Sequence, residues 1–181
     1  MRLTYICALL VYLSGPALAD QSDPRLPQLF DALSTAEHRE DAWRAEARIW
    51  TIWLEYSGDE RVVRSMQDGL DAMGGQRFAD AIDAFDRVIR LDPNFAEAWN
   101  KRATVFYLMG DLERSIADVQ RTLALEPRHF GALSGLGLIY LQMNRLEDAV
   151  KAFEAALKIH PFLPAAGQID ALRERLRGEK T

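Results

Sequence analysis

Residues 123–140 read LALEPRHFGALSGLGLIY, and this stretch decides the fold. An apolar helical pattern stops at Pro127, and a second one starts within three residues of it. Proline lacks a backbone donor and disfavours helical geometry in the residue before it, so the first helix ends there. The second run mixes small and large apolar residues, which predicts a helix that packs closely against its neighbours.

Proline recurs in this chain at a fixed interval of 34 residues, at positions 93, 127 and 161. A fixed period of this length is typical of stacked helical repeats. The period defines three units, which span residues 62–95, 96–129 and 130–163. Within the units, apolar residues recur three and four apart on two successive segments, the pattern of two amphipathic helices.

The third unit resembles the tetratricopeptide repeat at all of its signature positions. These positions hold Leu133, Leu136, Gly137, Tyr140, Ala149, Phe153, Ala156 and Pro161. The second unit departs from the signature mainly at Arg102, and the first departs at Ser65, Asp68 and Ala72. The resemblance implies an all-α fold, a right-handed α-solenoid of helix-turn-helix hairpins with a concave face.

The turns carry their own signals. Gly75, Gly110 and Asn144 lie between the two helices of a unit, and we expect left-handed backbone at each of them. After Pro93, Asn94 and Glu97 form a variant of the capping box, which predicts Asn94 as the helix cap.

The first 19 residues predict an export signal that is cleaved. Arg2 precedes an apolar run over residues 3–13, and residues 17–19 (Ala-Leu-Ala) form a signal-peptidase pattern. This run is too short to cross a hydrocarbon core of about 30 Å as a helix. We therefore expect an exported protein, periplasmic in a Gram-negative bacterium, with secretion or an uncleaved signal anchor as the alternatives.

Charge and cysteine content exclude several classes of function. The chain has 22 Lys and Arg against 27 Asp and Glu, a net charge of −5, and loss of Arg2 with the signal makes it −6. This acidic balance disfavours binding to nucleic acid and stable insertion into a membrane. The only cysteine is Cys7, inside the signal, so the mature chain has no disulfide and no thiolate ligand.

Two segments flank the repeats. Residues 20–57 predict an N-terminal helical hairpin that holds Trp43, Trp50 and Trp53. One interpretation is an atypical terminal unit that closes the stack, and the other is an exposed aromatic partner site. Residues 164–181 predict a C-terminal capping helix and a tail that frays over its last three residues.

No pattern in the sequence supports an enzyme, a cofactor or a metal site. His129 and His160 fall in the turns between units, where we expect them to be exposed or to cap carbonyls, and His38 falls in the hairpin. No two histidines have metal-binding spacing, and no glycine-rich phosphate loop is present. Ser134 lacks the context of a catalytic nucleophile.

The resemblance also implies where a partner would bind. In the tetratricopeptide repeat family, the concave groove is lined by positions 2, 5, 9 and 12 of each first helix. Here position 2 holds Val63, Glu97 and Gly131. The other three positions give the predicted contact surface, which consists of Met66, Leu70, Met73, Asn100, Thr104, Tyr107, Ser134, Leu138 and Leu141. Chaperone-binding relatives clamp a terminal carboxylate with lysine, asparagine and arginine at groove positions. Only Asn100 matches that set in kind, which disfavours an adaptor for chaperone tails.

These patterns together predict a non-enzymatic protein-interaction module. Its groove would bind an extended peptide or an amphipathic helix of another protein, and its role would be scaffolding or assembly in the bacterial cell envelope. The alternative is a structural subunit that forms a homo-oligomer through the tryptophan-rich hairpin or through an open end of the solenoid.

Overall fold

The computed structural model describes residues 21, 23–56 and 58–178. The predicted signal and the predicted frayed residues 179–181 lie outside these ranges. The described part contains nine α-helices and no strand, so the prediction of an all-α fold is confirmed. The helices are α1 (Leu26–Ser34), α2 (Arg39–Leu54), α3 (Glu60–Gly74), α4 (Phe78–Leu91), α5 (Ala96–Leu108), α6 (Leu112–Leu125), α7 (Phe130–Gln142), α8 (Leu146–Ile159) and α9 (Ala166–Gly178).

Three helix pairs build the repeat array: α3 with α4, α5 with α6, and α7 with α8. We call the first helix of each pair helix A and the second helix B. In the first and third units, helix A carries a glycine where an aromatic ring of helix B meets it. A Cβ atom on Gly69 would lie 2.5 Å from Cε1 of Phe85, and the ring of Phe153 packs equally closely on Gly137. These glycines are required because any side chain there would overlap the ring.

Each turn inside a unit contains one residue with left-handed backbone, always at the fifteenth position of the unit. The φ angles are 56° at Gln76, 79° at Gly110 and 56° at Asn144. The prediction is right at Gly110 and Asn144 and wrong at Gly75, whose φ is −81°. The repeat register, rather than the nearest glycine, sets where the chain reverses.

The turns between units share a hydrogen bond from backbone to side chain. Its acceptors recur at the 34-residue interval and are Asp92, Glu126 and His160. Each accepts the backbone N–H of the residue two positions on, at 2.9, 2.9 and 3.3 Å respectively. The bond fixes the chain between helix B of one unit and helix A of the next.

This bond explains why the predicted cap at Asn94 is wrong. Asn94 donates its N–H to Asp92, and the N-cap of α5 is Phe95, which has no side-chain capping bond. Phe95 is 1% exposed, so the cap position is used for packing. Glu97 points to other partners, described below.

Arg102, the main departure of the second unit from the repeat signature, bridges two B helices. Its guanidinium forms two bonds of 2.7 Å to the carboxylate of Asp118 in α6 and a further short ion pair with Asp86 in α4. A position that usually holds leucine therefore holds a cation because two aspartates neutralise it. The equivalent residue of the first unit, Asp68, has no preceding unit to contact and pairs with Arg87 near the surface.

The N-terminal hairpin of α1 and α2 lies across the turns between units. Tyr56 packs on Phe95 in the first turn at 5.3 Å between ring centroids. Trp53 stacks on His129 of the second turn at 4.2 Å, and Glu46 bonds His160 of the third turn. The hairpin thus runs along the stacking direction of the units and contacts the turn that follows each of them.

The expectation that the hairpin closes the stack as a terminal unit is therefore wrong in its geometry. Neither α1 nor α2 packs on α3 or α4. The free side of α3 is polar and exposed, with Arg61, Arg64, Gln67 and Asp71 facing solvent. Solvated side chains can end the array without a cap. At the other end, α9 packs on α8 through Ile169 and Leu172.

Candidate functional site

The concave groove divides into two halves along the A helices. In the second and third units, the half nearest the turns between units is covered by the hairpin. Trp50 lies directly over Gly131, where a Cβ atom would be 2.9 Å from Cη2 of the indole. Lys101 of the second unit lies over the same indole, with Nζ 5.3 Å from the ring centroid. In the first unit this half stays open, with Val63 45% exposed.

A buried polar cluster supports the closed half. The Glu97 side chain is 1% exposed and accepts hydrogen bonds from Asn100 at 3.0 Å and from His129 at 2.9 Å. Lys101 Nζ lies 2.8 Å from its other oxygen. Both oxygens of a buried carboxylate are therefore compensated, which a stable buried charge requires.

The Glu97 carboxyl stays ionised in this cluster. Burial alone raises its pKa, but the hydrogen bond from His129 and the charge of Lys101 outweigh burial. The pKa of Glu97 consequently lies below its ordinary value. This result agrees with a carboxylate in which one oxygen accepts two hydrogen bonds and the other is paired with the ammonium of Lys101.

His129 and His160 are buried, contrary to the expectation of exposed residues or carbonyl caps. They are 0% and 3% exposed. In each, Nδ1 accepts a backbone N–H, from Ala132 and Phe162 respectively, so Nε2 carries the proton and donates it to a carboxylate. No signal in a single sequence marks them, because the carboxylates that they bond lie far away in the sequence, 32 positions for His129 with Glu97 and 114 positions for His160 with Glu46.

The pair of His129 and Glu97 resembles the acid–base half of a catalytic site in composition only. His129 is fully buried and stacked against Trp53 with an interplanar angle of 9°. A substrate has no access to its ring, so the geometry gives it a structural role. In the described ranges, no three His, Cys, Asp or Glu side chains converge as metal ligands. None of the described helices is both long enough and apolar enough to cross a membrane.

The other half of the groove is open. Positions 9 and 12 of the three A helices all reach solvent. We call this set the distal strip; it consists of Leu70, Met73, Thr104, Tyr107, Leu138 and Leu141. Leu138 is the most open of its apolar members, with 39% of its surface exposed. Thr104 uses its hydroxyl locally by donating to the carbonyl of Asn100 at 3.0 Å. The distal strip is an apolar surface with one hydroxyl and one phenol.

The remaining predicted contact residues lie elsewhere. Met66 is 5% exposed and belongs to the core of the first unit. Asn100 is 8% exposed and donates to Glu97. The hydroxyl oxygen of Ser134 is buried and has no hydrogen-bond partner among the described residues. The structure thus brings six of the predicted residues together, places Met66 and Asn100 beneath the surface and buries the hydroxyl of the partly exposed Ser134.

Sequence reasoning missed several exposed apolar residues. Leu108, Met109 and Met143 stand at the ends of α5 and α7, and Trp43 is 71% exposed on α2. A cavity of about 480 Å³ separates Trp43 from Phe162 in the third turn. Met109 and Met143 were missed because they follow the last residues of α5 and α7 and are not among the family's groove positions.

The repeats of this chain match those of a known protein family. A family model described as tetratricopeptide repeat matches residues 67–121 and 100–164. A TPR repeat-containing protein of Rhizobium etli is 36% identical over 158 residues, which cover 87% of this chain and 77% of the relative. The chain belongs to the tetratricopeptide repeat family. Its sequence resemblance to the family is therefore confirmed.

Solved tetratricopeptide repeat structures agree with this fold. The crystal structure of MamA has a TM-score of 0.60 and 26% identity, covering 75% of this chain and 77% of that chain. The first repeat domain of Spaghetti (RPAP3) bound to the HSP90 peptide SRMEEVD has a TM-score of 0.63. It covers 66% of this chain and 96% of that chain at 19% identity, so it bears on the fold alone.

Proposed function

We propose that this chain is a non-enzymatic protein-interaction module that binds an extended peptide or an amphipathic helix in its concave groove. One observation carries the proposal: positions 9 and 12 of the A helices stay open in every unit, although the hairpin covers the other half in the second and third units. An exposed apolar strip on a rigid concave face is the geometry that binds apolar side chains of a partner.

The partner contact lies on the distal strip. Trp50 and Lys101 occupy the half in which Asn100 was predicted to bind. The Lys101 ammonium already neutralises Glu97, so it is not free to clamp a terminal carboxylate. The solved relative that holds the peptide SRMEEVD supports peptide binding as a mode of the fold, whereas the filled half here argues for a different peptide.

The proposed setting is the bacterial cell envelope, where the module would act as a scaffold or assembly factor. The support is the signal pattern of residues 1–19. Fractionation of cells that express the full chain tests this part separately. Mature protein that begins at Asp20 in the periplasm is expected, and full-length protein in the cytoplasm would contradict it.

Self-association through the hairpin remains the second candidate. Trp50 and Trp53 pack within the chain, but Trp43 stands free with 71% of its surface exposed. A homo-oligomer through the hairpin would therefore depend on Trp43. Light scattering of the wild type and of Trp43→Ala at several concentrations measures this directly.

Site-specific photo-crosslinking tests the groove. A photoreactive residue at position 138 is expected to trap the partner, and one at the exposed Lys151 of α8 is the matched control. Leu70→Asp and Tyr107→Asp should abolish trapping from position 138, because each puts a charge on the distal strip. Circular dichroism must show unchanged helix content in both variants. Equal trapping from both positions, or trapping unaffected by the charges, would reject the groove as the binding site.

A further inference from the structure

Exposed apolar side chains also line the edge formed by the turns inside the units, opposite the edge that the hairpin covers. Leu108 is 52% exposed, Met109 48% and Met143 37%. They end or follow α5 and α7, so they lie outside the groove positions. Such side chains at neighbouring units form an apolar surface that nothing in the described chain covers.

A cleft of about 560 Å³ opens between the second and third units on this edge. Its walls include Met109 and Met143, with Leu112 and the left-handed Gly110 between them. Methionine side chains are flexible and polarizable, so a cleft with two of them adapts to apolar side chains of different shape. The cleft is wide enough for a helix to place a large side chain in it.

The charges around this edge favour a basic partner. Each arginine at the start of a B helix is already bound to an acid, as shown by the pairs Arg77–Asp80, Arg114–Asp111 and Arg145–Asp148. Glu113, in contrast, lines the cleft, is exposed and forms no ion pair with any described residue. An acidic ligand would meet no free cation here, whereas a basic ligand would meet a free carboxylate.

We propose that this surface binds a basic amphipathic helix of a partner protein. We define it as the methionine edge, made of Leu108, Met109, Glu113 and Met143. The apolar face of the helix enters the cleft, and its lysines or arginines lie over Glu113. The methionine edge is separate from the distal strip, so this binding neither requires nor excludes a ligand in the groove.

Two labelled peptides of about 18 residues, roughly five helical turns, test the proposal by fluorescence anisotropy. One has leucines on one face and lysines on the other, and the second has glutamates in place of the lysines. The lysine peptide should bind, and its affinity should fall as salt is added. Met109→Lys and Glu113→Lys should each weaken it about tenfold, the change expected at a central contact. Leu91→Lys, at a leucine outside this edge that is 38% exposed, is the matched control and should change nothing.

The opposite results are equally clear. Equal binding of the glutamate peptide, or no binding of either peptide, overturns the proposal. Loss of binding in Leu138→Lys, with Met109→Lys unaffected, would place the peptide in the groove and would support the proposed function instead. A wild type that sediments as a dimer and becomes monomeric in Met109→Lys would show that a second copy of the chain occupies the edge.

Discussion

At Gly137 the two helices of the third unit approach so closely that one methyl group decides the quality of their packing. A Cβ atom there would lie 2.8 Å from Cζ of Phe153 and closer still to two other ring carbons. The ring is fully buried and cannot swing into solvent. The same contact recurs in the first unit, between Gly69 and Phe85.

Gly137→Ala should lower the free energy of unfolding by about 1–3 kcal/mol, because overpacking forces the helices apart. Urea denaturation followed by circular dichroism measures the change. Gly135→Ala in the same helix is the control, since nothing lies within 4 Å of its added Cβ. This control should be stabilised, by up to about 1 kcal/mol, through the higher helix propensity of alanine. Equal effects at the two positions would contradict the close contact.

Arg102 compensates a nearly buried charge, because its partner Asp118 has little contact with solvent. The Asp118 side chain is 6% exposed and relies on Arg102 for two hydrogen bonds. A partly buried ion pair adds little stability over an apolar pair, but loss of one partner leaves the other charge uncompensated.

Arg102→Met is therefore expected to destabilise the fold by about 3 kcal/mol. Arg64→Met removes an exposed pair with Glu60 at 3.2 Å and should cost less than about 1 kcal/mol. Thermal unfolding of the two variants compares them directly. Addition of Asp118→Leu to Arg102→Met should restore part of the loss; a double variant that is less stable still would show that the pair has no such coupling.

The residues that sequence analysis placed wrongly have a common physical reason. The side chains of His129 and His160 are buried because residues of the hairpin cover them: Trp53 stacks on His129, and Glu46 bonds His160. These contacts join positions that are far apart in the chain. Turn residues such as Gly110 and Asn144 were predictable because their geometry depends on local backbone alone. Gly75 failed because its neighbour Gln76 adopts the left-handed backbone instead.

At the scale of elements, the helix pairs follow from the period, but the position of the hairpin does not. The apolar residues Leu26, Leu29, Phe30 and Leu33 predict α1, and all four are buried in it. Their spacing predicts which face of α1 is buried, but it does not predict which other residues this face packs against. Only the structure shows that this face joins α2 and Phe130 in one core along the turns.

Trp53 is the central contact of that core. It is 3% exposed, stacks on His129 and packs on Phe130. Trp53→Ala should lower the free energy of unfolding by about 3–5 kcal/mol, as expected for a buried tryptophan. Hydrogen exchange should also speed up at the start of α7, where the hairpin rests.

Trp43→Ala is the matched control for this prediction. Trp43 lies on the same helix with most of its surface exposed, and its removal should change stability by no more than about 0.5 kcal/mol. If Trp53→Ala unfolded the hairpin without affecting exchange in α7, the hairpin would be an independent element and would not clasp the repeats.

At the scale of the whole molecule, the hairpin covers one edge of the linear array of repeats, the edge formed by the turns between units. Repeat arrays gain stability from contacts between neighbouring units only. Here α2 and the segment directly after it reach the turns of all three units, from Tyr56 on Phe95 to Glu46 on His160. The contacts couple the units and hold the curvature of the groove. The groove positions themselves followed from the family's register, whereas the filled half could not be predicted without the long-range contact of Trp50 with Gly131.

The edge that the hairpin covers should make the stability of the fold depend on acid pH. Glu97 in α5 is buried there and bonds His129 of the second turn, and its carboxylate is ionised. The pKa of Glu97 is lowered from 4.5 in the folded chain, and that of Asp59, the cap of α3, is lowered to about 2 by Arg61. A carboxyl whose folded pKa is depressed stabilises the fold above its unfolded pKa and loses that contribution as the pH falls through the folded value. The thermal midpoint should therefore decline as the pH falls below about 4.5.

Glu97→Gln isolates the buried contribution. The variant should be less stable than the wild type at pH 7, since Lys101 and His129 lose an ionised partner. The difference in thermal midpoint should shrink as the pH falls below 4.5, because the carboxyl of the unfolded wild type is protonated there and the folded one, whose pKa is lower, is protonated only at more acidic pH. Asp59→Asn provides the control at an exposed cap and should leave the Glu97-dependent difference in place. A gap between wild type and Glu97→Gln that stays constant from pH 7 to pH 3 would mean that the pKa of Glu97 is the same in the folded and the unfolded chain, and that Lys101 and His129 do not favour its charged form.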